Sequence, residues 1–338
     1  MKKIVSMMSA ITLSIFTLTG CSSENTQTEN TQTNDDKIKV ISTVFPGYDF
    51  TKEIGKDLVD ASILIPPGAE SHSYEPSPQD IIDIQNADLF IYTGGESDEW
   101  IDEILESMDK PVKTLKMVDC VELLENEEHT HEDEHSHDEE HTDEHSEENH
   151  SEEEHTEEEH EHSEYDEHVW TSPKNAIKIS EKIEEALSDI DEENSSTYQK
   201  NLDEYILELE KLDNEFTEFF KTVDNKTLIF GDRFPFRYFA NEYGLDYHAA
   251  YMGCSTDVEP SASTIAELID IVNDEKIGTI FYIEFSNHKV ADSIAESTGA
   301  NTKMLHSCHN VSKDELNNNA TYISLMKNNL ETLKEAMK

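Results

Sequence analysis

Between Tyr198 and Val223 apolar residues recur at alternating steps of four and three: Tyr198, Leu202, Tyr205, Leu209, Leu212, Phe216, Phe219 and Val223. That spacing predicts one helix, from about Ser196 to Thr222, with a continuous apolar seam on one face. At 1.5 Å per residue it spans about 40 Å, the length of a small domain. A seam this regular is compatible with a coiled coil. The flanking sequence points instead to a single helix lying across two units, because strand–helix alternation occupies both sides of it.

On the N-terminal side, strands are expected at Ile38–Val44, Ala61–Ile65, Ala87–Tyr92 and Val112–Met117. Helices are expected at Tyr48–Gly55, from Ser77-Pro78 onward, and around Trp100–Met108. Ser172-Pro173 opens a further helix toward Ile190, with proline in its first turn. On the C-terminal side, strands at Lys226–Phe230, Tyr247–Tyr251, Thr279–Glu284 and Lys303–His306 alternate with helices at Phe236–Tyr243, Ser261–Asp274, Lys289–Thr298 and Leu316–Met337. The expected fold class is α/β: two (β/α) lobes with parallel sheets, joined by the long helix, with a cleft between them. The corresponding division is 37–195, 196–223 and 224–338.

One stretch cannot join either core. From Glu125 to Glu167 there are 23 acidic residues and no Lys or Arg, and ten of the sixteen histidines lie between His129 and His162. Residues 125–164 therefore read as a solvated insert without a core of their own. Its histidines, His129, His131, His135, His137, His141, His145, His150, His155, His160 and His162, form an auxiliary set of low-affinity metal donors. Formal net charge is −51, and the chain outside this stretch remains acidic, with 53 acids against 25 bases. That balance excludes nucleic acid as a partner and suits a cationic ligand.

The first 21 residues have the grammar of a secretory signal. Lys2-Lys3 precedes a short apolar run, and Leu18-Thr19-Gly20-Cys21 resembles a bacterial lipobox. Acylation of Cys21 would anchor the chain to membrane lipid, and residues 22–36 would form a flexible tether. Cys120, Cys254 and Cys308 remain. An extracellular address permits a disulfide, and Cys254–Cys308 is the expected pair.

Two short segments combine metal-donor chemistry with ordered sequence. Pro66-Pro67-Gly68-Ala69-Glu70-Ser71-His72 follows a strand, and its prolines stiffen a loop that carries His72. Asp166-Glu167-His168-Val169-Trp170-Thr171-Ser172-Pro173 places His168 at a helix start, with Asp166 or Glu167 available to orient its ring. No H-E-x-x-H run is present, and no second acid–base pair accompanies these residues, which argues against a metal-dependent hydrolase.

Taken in order, Gly68-Ala69-Glu70…His72…Tyr74-Glu75-Pro76, Asp166…His168-Val169-Trp170…Ser172-Pro173, Tyr238-Phe239…Tyr243-Gly244-Leu245 and Glu259-Pro260-Ser261 carry a resemblance. From Lys37 onward the chain resembles the zinc/manganese solute-binding lipoproteins of bacterial ABC transporters. The resemblance implies a monomeric, extracytoplasmic, non-enzymatic protein that holds a metal between its lobes and delivers it to a membrane permease. It implies four ligands. His72 and His168 match two of them. At the third, where the family has His or Glu three residues before a Phe-x-Tyr, this chain has Arg233, which cannot ligate a cation. Asp232 is then the nearest substitute, unless Asp232 and Arg233 form a structural pair. At the fourth, alignment favours His306, with His309 as the alternative. His248 and His288 read as ordinary histidines. Three imidazoles and one carboxylate make a Zn2+ environment; two carboxylates would suit Mn2+ better. Zn2+ is the expected cargo. The alternatives are an Mn2+/Fe2+-binding component of the same transporter type, or a surface metal-buffering or adhesin lipoprotein.

Overall fold

A computed structural model describes residues 37–70, 73–95, 98–108, 110–124, 165–251 and 260–337. Cys21, His72, Cys254 and the ten histidines between His129 and His162 lie outside the described residues. The first sheet contains β1 (Ile38–Ser42), β2 (Val59–Ile63), β3 (Leu89–Tyr92) and β4 (Thr114–Lys116), all parallel, in the order β2-β1-β3-β4. The second contains β5 (Thr227–Phe230), β6 (Asp246–Ala249), β7 (Thr279–Tyr282) and β8 (Asn301–Met304), again all parallel, in the order β6-β5-β7-β8. Parallel strands covered on both faces need continuous apolar sequence. Leu89-Phe90-Ile91-Tyr92 is buried at every position.

Helices α1 (Phe45–Gly55), α2 (Pro78–Gln85) and α3 (Glu99–Ser107) connect the first four strands. Next come α4 (Pro173–Ile190) and α5 (Ser195–Phe220). Helices α6 (Arg237–Tyr243), α7 (Ala262–Glu275) and α8 (Lys289–Thr298) connect the second four strands, and α9 (Lys313–Asn317) and α10 (Tyr322–Ala336) follow β8. In each sheet the chain leaves the first strand for one neighbour and later returns on its other side. Open α/β sheets offer a crevice at the carboxyl ends of the strands beside such a switch. The segments carrying Glu70, Arg233 and His309 all follow carboxyl ends of strands.

The long helix α5 joins the two units through its apolar seam. Tyr205 contacts Phe50 of α1 at 6.1 Å between ring centroids, and Phe216 contacts Phe239 of α6 at 4.9 Å. Seven of the eight seam residues, Tyr198, Leu202, Tyr205, Leu209, Leu212, Phe216 and Val223, are buried, but Phe220 is buried in place of Phe219. A straight helix turns away from a seven-residue repeat by about 20° per heptad. After three heptads Phe219 has drifted off the seam, and Phe220 has come onto it.

Several boundaries differ from expectation, among them those of α1, which begins at Phe45 rather than Tyr48, and of β8, which runs over Asn301–Met304 rather than Lys303–His306. The second strand is assigned two residues earlier, although Leu64 and Ile65 still donate to the carbonyls of Ser42 and Thr43, at 2.8 and 3.2 Å. The single expected helix over Leu316–Met337 is two, α9 and α10. Asn319 adopts φ +55, a conformation asparagine tolerates better than most residues, and Thr321 restarts the helix with a capping box to Ser324.

Candidate metal centre

His168 ends the approach to α4. A short turn over Val169–Thr171 follows it, in which the Thr171 hydroxyl donates to the His168 carbonyl at 2.9 Å. Ser172 then caps α4 by accepting from the Asn175 N–H, and Pro173 fills the first helical position. His168 is 1% exposed. Its Nδ1 lies 3.1 Å from Asp166 Oδ1, which also accepts the His168 backbone N–H at 2.8 Å. A carboxylate accepts, so Nδ1 carries a proton; in the neutral ring this leaves the lone pair on Nε2, the tautomer of a metal-ligating imidazole. Glu167 turns to the other side, where a Cβ on Gly95 would come within 2.2 Å of its Oε2. Burial first, and the neighbouring Glu167 as well, push the Asp98 carboxyl up to about 7 against the pull of backbone N–H donors from Gly94 and Thr93.

The C-terminal unit contributes His309. Its ring is perpendicular to His168 at 5.3 Å between centroids, and both rings contact Trp170, at 5.5 Å from His168 and 5.0 Å from His309. Trp170 donates from Nε1 to the Ser307 carbonyl at 2.9 Å, and Phe45 N–H donates to the His309 carbonyl at 3.0 Å. These two bonds fasten the loop after β8 to the first unit. Behind them the Tyr322 hydroxyl donates to the Trp170 carbonyl, and the Tyr322 N–H donates to Asp49, each at 2.8 Å. Burial pushes the Asp49 carboxyl up to about 7, although the Tyr322 N–H opposes it.

His306 has different company. Its N–H donates to Asn329 Oδ1 at 2.8 Å, and its carbonyl accepts from Asn329 Nδ2 at 2.7 Å. Its Nδ1 accepts the Cys308 N–H at 2.9 Å, and its Nε2 faces Glu315 Oε1 at 3.5 Å. Cys308 is a buried free thiol. Its residue adopts φ +63, which turns the chain between His306 and His309. His306 lowers Glu315 to about 2 by hydrogen bonding, assisted by Ser312 and opposed by burial. The structure thus brings His309 against His168 and sets His306 among Asn329, Cys308 and Glu315.

Asp232 accepts the Arg233 N–H at 2.9 Å and the Ile283 N–H at 3.3 Å, so its carboxylate ties the exits of β5 and β7 together. Arg233 makes a two-pronged pair with Glu70, Nη1 to Oε1 at 3.1 Å and Nη2 to Oε2 at 3.0 Å. Sequence reasoning missed this pair, and nothing local signals it, since 163 residues separate the partners. It also missed Tyr238. That hydroxyl donates to the Asp166 carbonyl at 2.8 Å and accepts the Leu124 N–H at 3.2 Å, while the Asp166 N–H donates to the Leu124 carbonyl. The chain therefore departs from Leu124 and returns at Asp166 at one point, two residues from His168. His288 is exposed and pairs with Asp292 at 2.9 Å.

Residues 40–336 match the family model of the periplasmic zinc-uptake complex component A, ZnuA. The high-affinity zinc uptake system protein ZnuA of Bacillus subtilis (strain 168) is 36% identical over 306 residues, covering 89% of this chain and 88% of that protein. The zinc-binding lipoprotein AdcA of Streptococcus pneumoniae is 34% identical over 305 residues, and the match spans 89% of this chain but only 56% of AdcA. The crystal structure of the Zn(II)-bound ZnuA-like domain of that AdcA superposes with a TM-score of 0.69 at 30% identity, covering 89% of this chain and 99% of the domain. Two parallel sheets, a long helix across them and a histidine pair between them, over a match that spans nearly the whole described chain, place the protein in the ZnuA family of zinc-uptake components.

Proposed function

We propose that the chain is the extracytoplasmic Zn2+-binding component of an ABC importer, capturing the ion between its lobes and passing it to the membrane permease. The observation that carries this reading is the buried meeting of His168, oriented by Asp166, with His309 from the other unit. Imidazole donors from both lobes let one ion hold the cleft shut, and release needs only that the lobes part. His72 would supply a third imidazole. Asp232 serves as the structural acceptor described above. A site built on imidazoles suits Zn2+ better than Mn2+. Capture and release form no covalent bond, so the protein acts as a carrier.

The His-rich segment enters beside His168, since Leu124 and Asp166 are hydrogen-bonded neighbours. It would act as an acidic collector that raises the local metal concentration at the cleft. Acylated Cys21 would keep a monomeric carrier at the membrane, next to its permease. Titration of purified protein with competing Zn2+ and Mn2+ tests the cargo; tighter retention of Mn2+ overturns it. Deleting residues 125–164 should leave the tight site intact. Loss of nearly all binding in that variant would instead make the segment a metal buffer and the cleft incidental.

A further inference from the structure

A small cleft of about 30 Å³ adjoins His309 and is lined also by Ala69, Glu70, Arg233, Glu284 and Phe285. Two carboxylates border it, and both are engaged. Glu284 accepts the Ser307 N–H and the Ser307 hydroxyl. Glu70 is held by the guanidinium fork of Arg233, one N–H group on each oxygen. The Arg233 side chain is 9% exposed and that of Glu70 40%, so the pair closes one wall of the cleft with the arginine inward. The loop bearing Glu70 is fastened a second time, by Asn310, whose Nδ2 donates to the carbonyls of Pro66 at 2.9 Å and Ala69 at 3.0 Å.

We infer that Arg233 is a specificity-determining residue: by clasping Glu70 in a bidentate pair, it keeps a hard carboxylate from the metal and biases the cleft toward Zn2+ over Mn2+. The inference rests on reading the cleft as the metal site. Its physical basis is donor type. Carboxylate oxygen favours Mn2+ relative to imidazole, and a carboxylate added to an imidazole set shifts preference in that direction. A fork on both oxygens directs the carboxylate at the guanidinium plane and cancels its charge. Lysine, a point charge on a flexible stem, would hold one oxygen and leave the other able to turn.

The test uses the full chain, with Zn2+ and Mn2+ as probes in competition with a chelator of known affinity. Arg233→Met keeps the length of the stem and releases Glu70. The ratio of Mn2+ to Zn2+ dissociation constants should fall about tenfold, the scale of one interaction with a charged group, mainly through tighter Mn2+ binding. Adding Glu70→Gln to that variant should restore the ratio to within about threefold of the wild type, because an amide does not replace the anion. Arg233→Lys, which preserves the charge and so the fold, should give an intermediate fall. An unchanged ratio in Arg233→Met or Arg233→Lys overturns the inference, as does an equal fall with and without Glu70→Gln. Failure of the wild type to bind Zn2+ would instead overturn the reading of the cleft, before any variant is compared.

Discussion

His306 and His309 stand three residues apart on one loop, and the molecule treats them differently. His306 is enclosed by polar partners: Asn329 grips its backbone on both sides, Cys308 donates to one ring nitrogen, and Glu315 faces the other. His309 is enclosed by rings, those of His168 and Trp170, while its backbone carbonyl binds the first unit through Phe45. Between them Cys308 takes a left-handed conformation that costs an L-residue about 1 kcal/mol. His306 is thus held through its backbone and Nδ1, while its Nε2 only faces a carboxylate and, like the Nε2 of His309, is buried without a hydrogen bond among the described residues. A histidine brought against another from the opposite lobe has the setting of a ligand. Residue type is the same in both, and the surroundings differ.

That contrast is broken or sharpened most strongly by removing the rings. His168→Ala and His309→Ala should each weaken Zn2+ binding by more than about a hundredfold, since losing the partner that orients a ligand already costs about 10- to 100-fold. His306→Ala should stay within about threefold of the wild type on the same scale. Competition titration against a chelator measures all three, and equal losses at His306 and His309 would erase the distinction. Next in size is Asp166→Asn, which replaces the acceptor that sets the His168 tautomer. Zn2+ affinity should fall about 10- to 100-fold with little change in melting temperature. A variant that binds as tightly as the wild type would show that the ring needs no such partner.

Asn329→Ala acts on the other histidine. It removes both hydrogen bonds of the clamp and leaves the His306 N–H and carbonyl without it, which should cost about 1–3 kcal/mol of stability in urea unfolding. Zn2+ affinity should change only a few-fold. A large loss of affinity with normal stability would mean that the clamp positions His309 too. The smallest effect concerns pH. His306 holds Glu315 at about 2 in the folded state, below the ordinary 4.5. A depressed carboxyl stabilises above its unfolded pKa, and that contribution is lost as pH falls from 4.5 through about 2. The partial exposure of Glu315 screens the pair, so the contribution is ~1 kcal/mol at most. Acid titration of stability should show this loss in the wild type and a shallower one in His306→Ala; identical slopes would place the stabilisation in the Ser312 cap alone.

Much of the fold was readable in the chain because its signals are local. Strand–helix alternation announced two parallel sheets, Ser172-Pro173 marked the start of α4, and the seam from Tyr198 marked α5. The slip from Phe219 to Phe220 was not readable from heptads, since a straight helix departs from them gradually. The break at Asn318–Thr321 was written locally, in an asparagine run before a capping threonine, but periodicity across it masked the signal.

The candidate site was legible in kind more than in arrangement. A His-rich acidic chain, His72 in a stiff loop and His168 beside Asp166 all pointed to a metal, and Asp166 does orient His168. By itself the sequence determined which donors exist and on which side of each strand they emerge, because those properties follow from residue chemistry and local spacing. Only the tertiary structure decided which donors meet. The clasp of Arg233 on Glu70, the approach of His309 to His168 and the closure at Tyr238 each join segments 70 to 160 residues apart or more. No local pattern specifies such a pairing; it is set by how two sheets dock along one helix.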